Sequence, residues 1–384
     1  MRIAIFGGSF DPVHIEHIRL AEAAIQELGL DKLFVMPAHT PPHKQGKVLS
    51  SDADRLEMCR LAFRAVDKVE ISDYEIAQGG TSYTYLTCRH FRAAYPNADE
   101  IFWIVGTDML RNFYTWKNPE DILQNVTLAV CGRAETLEQW DCAEQERFRA
   151  RFGKDFRKFA YNGAAVSSTK LRVLAGAGER LDGYTEEKTA EYIQEKGLYR
   201  IENADKALAL EKEERRAHSL RVAELAASRA VQLGISERKA ITAALFHDCA
   251  KNLTQDSGYL AGFVPPTEWG ELPKEVFHQF AGAYVAEHTF GVTDEEILDA
   301  IRYHTSARPN MCELEKLIFL ADMLEPQRRY QGVEELRFLF HKGGDLDECL
   351  TEALRQTLIF LKEKGGEIYS LTERAYTYYA QQNQ

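Results

Sequence analysis

The sequence predicts an α/β first half, a doubly wound parallel sheet over residues 1–200, followed by an all-helical half over residues 201–384. Three observations predict it. In the first half, short apolar runs of strand length alternate with amphipathic segments of helix length, the order that builds a parallel sheet covered on both faces. From about residue 205 the hydrophobic period is helical and no convincing strand intervenes. A chain of 384 residues also holds enough material for two hydrophobic cores.

The elements follow in order. "RIAIFG" reads as a strand that runs into two glycines, and "HIRLAEAAIQEL" as a helix stopped by Gly29. "KLFVMPA" is a second strand, "ADRLEMCRLAFRAV" a helix and "VEISDYEIA" a third strand. "SYTYLTCRHFRAAY" follows as a helix, and "IFWIVGTD" and "VTLAVCGR" as further strands. The apolar run of "IFWIV" is the pattern of a strand buried on both faces. In the second half "ADKALALEKEERRAHSLRVAELAASRAVQLG", "SERKAITAALFHDCAK", "DEEILDAIRYHT", "LEKLIFLADML" and "LTEALRQTLIFLKEK" all carry helical periodicity. The boundary falls near "GLYRIENADK", about residues 197–206.

Composition narrows the function. Hydrophobic content of 45% and charged content of 28% are ordinary for a soluble globular protein. The net charge is −12, with 26 basic and 29 acidic side chains in residues 1–200 and 21 and 30 in the remainder. Neither half has the basic excess that neutralises a phosphate backbone, so nucleic acid is not an expected partner. No apolar run approaches the roughly 18 residues of a membrane span, and the opening "MRIAIFGG" reads as a strand rather than a leader. Seven cysteines without a CxxC pair predict reduced thiols and a cytoplasmic location.

The chemistry of the first half begins at "FGGSFDPVHIEH", residues 6–17. Gly7 and Gly8, followed by Ser9 and Phe10, let backbone approach a ligand closely. A helix starting near His14 aims N–H groups at that ligand, and His14 and His17, three residues apart, share its first turn. The pattern is neither a P-loop nor a dinucleotide fingerprint, since no Gly-Lys-Ser/Thr and no GxGxxG is present. "VSSTKLR", residues 166–172, adds the hydroxyls of Ser167, Ser168 and Thr169 and the charges of Lys170 and Arg172. "PPHK" places Lys44 in a loop after a strand.

These motifs together resemble the nucleotidyltransferase superfamily with its HxGH-type and SSTxxR-type signatures. Over about residues 1–200 they resemble bacterial nicotinate-nucleotide adenylyltransferases within it, since "GGSFDPVH", "PPHK", "SYT", "GTDML", Trp116, "VSSTKLR" and "YIQEKGLY" occur in that family's order. The resemblance implies transfer of AMP from ATP to nicotinate mononucleotide, with Mg²⁺ accompanying the departing pyrophosphate. It assigns His14, His17, Arg172 and Lys44 to the ATP phosphates, with Gly7, Gly8, Ser9, Phe10, Ser167, Ser168 and Thr169 around them. Ser82, Tyr83, Thr84, Trp116 and Asp108 fall to the nicotinate mononucleotide. An acceptor phosphate with a second pKa of about 6 is ionised at neutral pH, so no general base is required and catalysis rests on positioning and charge stabilisation. Glu16 stands where the family has glycine; it is expected to point outward and favour the helix N-terminus.

The second half carries "FHDCAK", with His247 and Asp248 adjacent on an apolar segment. A buried ionised aspartate needs a partner or a metal. His218, His278, His304 and Asp322 lie in other apolar helical stretches, and imidazoles and carboxylates gathered from several helices build dinuclear sites. This order resembles the HD superfamily of metal-dependent phosphohydrolases. The flanking "GAYVAEHTFG", "EEILDAIRYHTSARPNM" and "LEKLIFLADMLEPQR" resemble, over about residues 205–375, the bacterial HD hydrolases that cut diadenosine tetraphosphate into two ADP. The resemblance implies His218, His247, Asp248, His278, His304 and Asp322 as ligands of two transition-metal ions, with iron suggested and Asp248 bridging. His288 falls where that family has no ligand, and His341 reads as a surface residue. Lys251 and Arg308 are the expected contacts to flanking phosphates, Lys251 taking part in catalysis. A second reading makes the helical half a metal-containing nucleotide-binding regulator, or a hydrolase of another nucleotide.

Overall fold

The computed structural model describes residues 1–41, 48–132, 143–268, 270, 272–343, 345–365 and 368–382. Its contacts divide the chain into two units, Met1–Leu171 with Leu181–Leu198, and Arg172–Arg180 with Tyr199–Gln384.

In the first unit, β1 (Arg2–Gly8), β2 (Lys32–Pro37), β3 (Val69–Ile71), β4 (Glu100–Gly106), β5 (Thr127–Gly132) and β6 (Arg157–Ala160) form one sheet in the order β3-β2-β1-β4-β5-β6. Every pairing is parallel. The connections run through α1 (Ile15–Glu27), α2 (Asp52–Phe63), α3 (Tyr74–Gln78), α4 (Thr84–Ala94), α5 (Thr107–Phe113), α6 (Pro119–Asn125) and α7 (Ala143–Phe152). α8 (Ser168–Gly176), whose residues from Arg172 on belong to the second unit, and α9 (Glu187–Glu195) follow the sheet in sequence. Helices on both faces leave the central strands dry: Ile3, Ala4, Ile5, Ile101 and Leu128 are all fully buried. The strand order reverses between β1 and β4, and a ligand crevice is expected beyond the carboxyl ends of these two strands.

Several elements differ from the sequence reading: the strand expected over 101–108 ends at Gly106, and α5, α6 and α7 were not foreseen. The third strand stops at Ile71, and the residues after it turn into α3, where the Ala77 N–H bonds the Asp73 carbonyl at 2.8 Å. β6 was not expected. As an edge strand it buries only Phe159, so it has no apolar run to betray it.

The second unit is helical, and among its described residues no strand occurs. Its main helices are α10 (Ala204–Leu208), α11 (Glu213–Ala230), α12 (Glu237–Phe246), α13 (Lys274–His288), α14 (Glu295–Arg302) and α15 (Glu313–Leu324). α16 (Val333–Lys342), α17 (Asp347–Glu363) and α18 (Ser370–Gln382) complete it. The long helix expected from residue 204 is broken before Lys212, whose backbone is extended and opens α11. Small buried residues, Ala223, Ala226 and Ala227 on α11 and Ala240, Ala243 and Ala244 on α12, let these two helices pack closely. No helix among the described residues is long and apolar enough to cross a membrane.

Candidate functional site

The crevice at the strand reversal of the first unit is a cleft of about 690 Å³. Of the sequence-predicted residues, Gly7, Gly8, Ser9, Phe10, His17, Ser82, Tyr83, Thr84, Asp108, Trp116 and Ser168 line it. Gly7 is required there: a Cβ would stand 2.9 Å from the Trp103 ring. Phe10 takes a left-handed φ of 46° and is buried edge-on between Phe6 and His17.

His14 is buried and stacks on His17 with ring centroids 3.6 Å apart. Burial lowers the His14 pKa to about 4, so this ring is neutral at pH 7. The His14 backbone N–H donates to His17 Nδ1 at 3.1 Å. A neutral His17 therefore carries its proton on Nε2, the tautomer that donates to an anionic ligand. Ser168 reaches the same cleft, and its hydroxyl donates to the Pro12 carbonyl at 2.9 Å, tying the serine-rich segment to the Gly-Gly turn. Ser167 Oγ accepts the Lys170 N–H at 3.1 Å and caps the helix that Thr169 enters. On the other side of the cleft, the His39 N–H donates to Ser82 Oγ and the Ser82 N–H to the Thr40 carbonyl, both at 3.0 Å. Trp116 packs against Phe113, with ring centroids 5.3 Å apart.

Other predicted residues fall elsewhere. Arg172 lies outside the cleft lining and pairs with Glu237, its Nε donating at 2.9 Å. Lys44 lies outside the described residues. Glu16 does not point outward as expected. It is buried, and its carboxylate accepts from Tyr161 Oη at 2.5 Å, the Ala164 N–H at 2.8 Å and Arg19 Nη1 at 2.9 Å. Burial opposes its charge, but these donors hold its pKa below the usual carboxylate range. A Cβ at Gly163 would meet Glu16 Oε2 at 2.5 Å, so the glycine makes room for the carboxylate.

Sequence reasoning missed two residues here. Lys117 lines the cleft with its ammonium 4.0 Å from the Tyr83 ring centroid; its place beside Trp116 was the available signal. Arg55 is buried and donates to the carbonyls of Ser9 at 3.0 Å and Ala38 at 2.6 Å, joining the loops after β1 and β2. An arginine on the buried face of α2 was its only trace.

In the second unit, all six predicted ligands come together. The sets His218–His247–Asp248, His247–His304–Asp322 and Asp248–His278–His304 each place their ligand atoms within 4.8 Å of one another. α11 supplies His218, the turn after α12 supplies His247 and Asp248, α13 supplies His278, the turn after α14 supplies His304, and α15 supplies Asp322. His288 and His341 are exposed.

The neighbours of these groups orient them. His247 Nδ1 donates to the Ala244 carbonyl at 2.6 Å and His304 Nδ1 to the Ile301 carbonyl at 2.7 Å, which turns both Nε2 lone pairs toward the cluster. Glu325, another residue not foreseen, stands 3.3 Å from His218 Nδ1 while His218 Nε2 faces Asp322 at 2.8 Å. Gln279 accepts from the Thr305 and Ser306 N–H groups at 2.9 and 3.0 Å and so pins the turn bearing His304.

Electrostatics suit a cation at the centre. Burial opposes charge on Asp248, yet His247 and His304 hold its pKa well below the usual range. Burial also opposes a proton on His247, but Asp248 outweighs it and pushes the pKa up to about 9. His278 falls to about 2 through burial and the positive charge of His304 and Lys251, so the cluster does not fill with protons. The buried Nε2 of His247 and Oδ1 of Asp248 have no hydrogen-bond partner. Orphaned donor atoms of this kind, aimed at one point, fit a metal centre.

Lys251 is in place, with Nζ 2.9 Å from His278 Nε2 and 3.9 Å from Asp248 Oδ1. Arg308 is not brought to the cluster cavity. Glu315 holds its Nε at 2.6 Å and Asp299 its Nη2 at 2.9 Å, while its guanidinium lies over the Tyr303 ring. Arg215 and Arg328 stand at the cluster instead, donating to Asp248 at 3.0 Å and to Asp322 at 2.6 Å. The signal for Arg215 was its spacing of three from His218 on one helix face.

Fold and sites together define an α/β nucleotidyltransferase unit joined to a helical unit of the HD type. The cytidylyltransferase-like family matches residues 5–174 and the HD domain family residues 215–327. A protein of Mycoplasma pneumoniae described as "Probable nicotinate-nucleotide adenylyltransferase/Ap4A hydrolase" is 31% identical over 337 residues, 85% of this chain and 89% of its own. One of Clostridium tetani, described as "Probable nicotinate-nucleotide adenylyltransferase", is 36% identical over 197 residues, 51% of this chain and 98% of its own. A solved structure from Clostridium acetobutylicum, described as a "predicted HD superfamily hydrolase involved in NAD metabolism", is 34% identical, covering 46% of this chain and 97% of its own, with a TM-score of 0.41. The chain belongs to the nicotinate-nucleotide adenylyltransferase/Ap4A hydrolase family, in which a nucleotidyltransferase domain precedes an HD domain.

Proposed function

We propose that residues 1–200 transfer AMP from ATP to nicotinate mononucleotide, and that residues 201–384 hydrolyse diadenosine tetraphosphate to two ADP. In the first reaction, an oxygen of the mononucleotide phosphate bonds to the α-phosphorus of ATP as the α–β bridging bond breaks, and pyrophosphate leaves with the bridging oxygen. The observation that carries this reading is one cleft that joins a phosphate end, Gly7, Gly8, His17 and Ser168, to an aromatic and hydroxyl end, Ser82, Tyr83, Thr84 and Trp116. His17 donates from Nε2 to charge that builds on the α-phosphate, Ser168 and Thr169 serve the triphosphate, and Trp116 stacks on the pyridine ring. His14, neutral and buried, holds the His17 ring in place. Mg²⁺ accompanies the phosphates.

In the second reaction, a water oxygen bonds to one central phosphorus as the bond from that phosphorus to the bridging oxygen breaks; the bridging oxygen leaves with the other half as the second ADP, and the water's protons pass to solvent. The carrying observation is the convergence of six candidate ligands, among them buried His247 Nε2 and Asp248 Oδ1, which make no hydrogen bond. His218, His247, Asp248, His278, His304 and Asp322 would hold two transition-metal ions, iron by family resemblance. Such ions, when bound, acidify a water and neutralise the attacked phosphate. Lys251 faces the same centre and neutralises an adjoining phosphate.

The full chain, supplied with ATP and nicotinate mononucleotide and separately with diadenosine tetraphosphate, tests both halves by chromatography of the products. Nicotinate adenine dinucleotide with pyrophosphate, and ADP as the sole nucleotide product of the second reaction, are the expected results. ATP with AMP from the tetraphosphate overturns the symmetric cut. No turnover of it by metal-loaded protein overturns the hydrolase reading.

A further inference from the structure

The first turn of α1 carries a buried carboxylate that the proposed adenylyl transfer leaves without a task. Glu16 Oε1 accepts from Arg19 Nη1 on the same helix at 2.9 Å. Its Oε2 accepts from Tyr161 Oη at 2.5 Å and from the Ala164 N–H at 2.8 Å, both on the segment between β6 and α8. An ionised carboxylate is costly to bury unless such donors meet it, and donors of this kind make its hydrogen bonds strong ones. The segment is shaped around the carboxylate: a Cβ at Gly163 would stand 2.5 Å from Glu16 Oε2 and 2.8 Å from the Tyr161 ring. At its other end the segment is fixed to the sheet, where the Tyr161 N–H donates to the Gly132 carbonyl at 2.9 Å.

This segment leads directly into the serine-rich motif. The Val166 N–H turns back to the Ala164 carbonyl at 2.8 Å, and Ser168, four residues after Ala164, lines the cleft. Two ties therefore join the motif to the start of α1: the Ser168 hydroxyl on the Pro12 carbonyl at 2.9 Å, and the carboxylate of Glu16. They differ in what a ligand does to them. A serine hydroxyl has one proton, so Ser168 gives up Pro12 when it donates to a phosphate oxygen. The bonds to Glu16 use no group that the ligand needs. We infer that Glu16 is a positioning residue for the triphosphate end of the cleft: it holds the Tyr161–Ala164 segment on α1 while Ser168 turns its hydroxyl from Pro12 to phosphate. This rests on the reading of the first unit as an ATP-using adenylyltransferase.

The test is steady-state kinetics of the full chain with ATP and nicotinate mononucleotide varied separately, for wild type, E16A, Y161F, S168A and E16A/S168A. E16A is expected to raise KM for ATP about tenfold and Y161F, which removes one donor and keeps the ring, about threefold. KM for nicotinate mononucleotide should stay within twofold in both. In the S168A background E16A should change KM for ATP less than twofold, because Glu16 acts through Ser168. Circular dichroism shows whether each variant folds, and Y161F decides the matter where E16A does not. Equal rises in both KM values, an unchanged KM for ATP, or additive effects of E16A and S168A overturn the inference. Isothermal titration with MgATP, after a chelator has removed transition metal, separates this from the acceptor reading. If E16A weakens MgATP binding about tenfold while wild type forms no dinucleotide, the positioning role stands and the acceptor reading alone falls.

Discussion

The two candidate sites meet phosphate in opposite ways. The cleft of the first unit is lined by aromatic rings, glycines and hydroxyls, with Lys117 as the one Lys or Arg side chain among its described lining residues. The buried His14, which stacks on the cleft's His17, is neutral, with a pKa of about 4. The cavity of the second unit is lined by four lysine and arginine side chains and opens onto two deeply ionised aspartates. The contrast teaches that, on the proposed reading, attack at phosphorus is served by different means in the two units. Where the nucleophile is already an anion, oriented N–H and O–H donors suffice. Where, as proposed for the second unit, it must be made from water, cations have to be concentrated, a task that buried carboxylates and imidazoles can perform.

The sharpest way to break this comparison is to remove the charge at the centre of the second site. Asp248→Asn should lower diadenosine tetraphosphate hydrolysis by roughly 1,000-fold or more and deplete bound transition metal, because it leaves the facing imidazoles without their anion. Adenylyl transfer should stay within about twofold, since this chemistry takes nothing from the cluster. Parallel loss of both activities would dissolve the distinction.

A smaller effect belongs to His17. His17→Ala should cut kcat for adenylyl transfer by about 100-fold with little change in either KM, the signature of a donor to transition-state charge. Smaller again is Trp116→Ala, expected to raise KM for nicotinate mononucleotide about tenfold and leave KM for ATP unchanged, as loss of one stacking partner does. Equal rises in both KM values would displace Trp116 from the pyridine ring.

The smallest expected effect is on stability. His14 has a folded-state pKa of about 4, below its unfolded value, so the unfolded chain binds more protons between these limits. Stability is therefore full above about pH 6.5 and falls as the pH drops, by about 2 kcal/mol at about pH 5. Denaturant midpoints of wild type and His14→Gln under neutral and mildly acidic conditions check this: the variant should lose less on acidification. An identical pH response would place a proton-binding group other than His14 behind the change.

Much of this was legible in the sequence, for physical reasons that also account for what was not. β1, β4 and β5 announced themselves because burial on both faces demands an unbroken apolar run, whereas β6 at the sheet edge buries one residue and left no such trace. The candidate metal ligands were readable because a histidine or aspartate in an apolar helical stretch is costly to bury without a partner or a metal. Their cationic companions were readable only in part: Lys251 falls where expected, but proximity in sequence to a ligand says little about where a long side chain ends. Arg308, four residues after His304, is claimed by Glu315 and Asp299, while Arg328, six residues after Asp322, returns to it. Glu16 was read as an exposed helix-start carboxylate because its partners, Tyr161 and Ala164, lie 145 and 148 residues further along the chain.

The most direct test of the contrast is to strip one preparation of full-length protein with a chelator and assay both reactions during stepwise metal return. Mg²⁺ alone should restore adenylyl transfer completely and leave tetraphosphate hydrolysis near zero until Fe²⁺ or Mn²⁺ is added. Restoration of both activities by Mg²⁺ in parallel, or dependence of both on the transition metal, would contradict it.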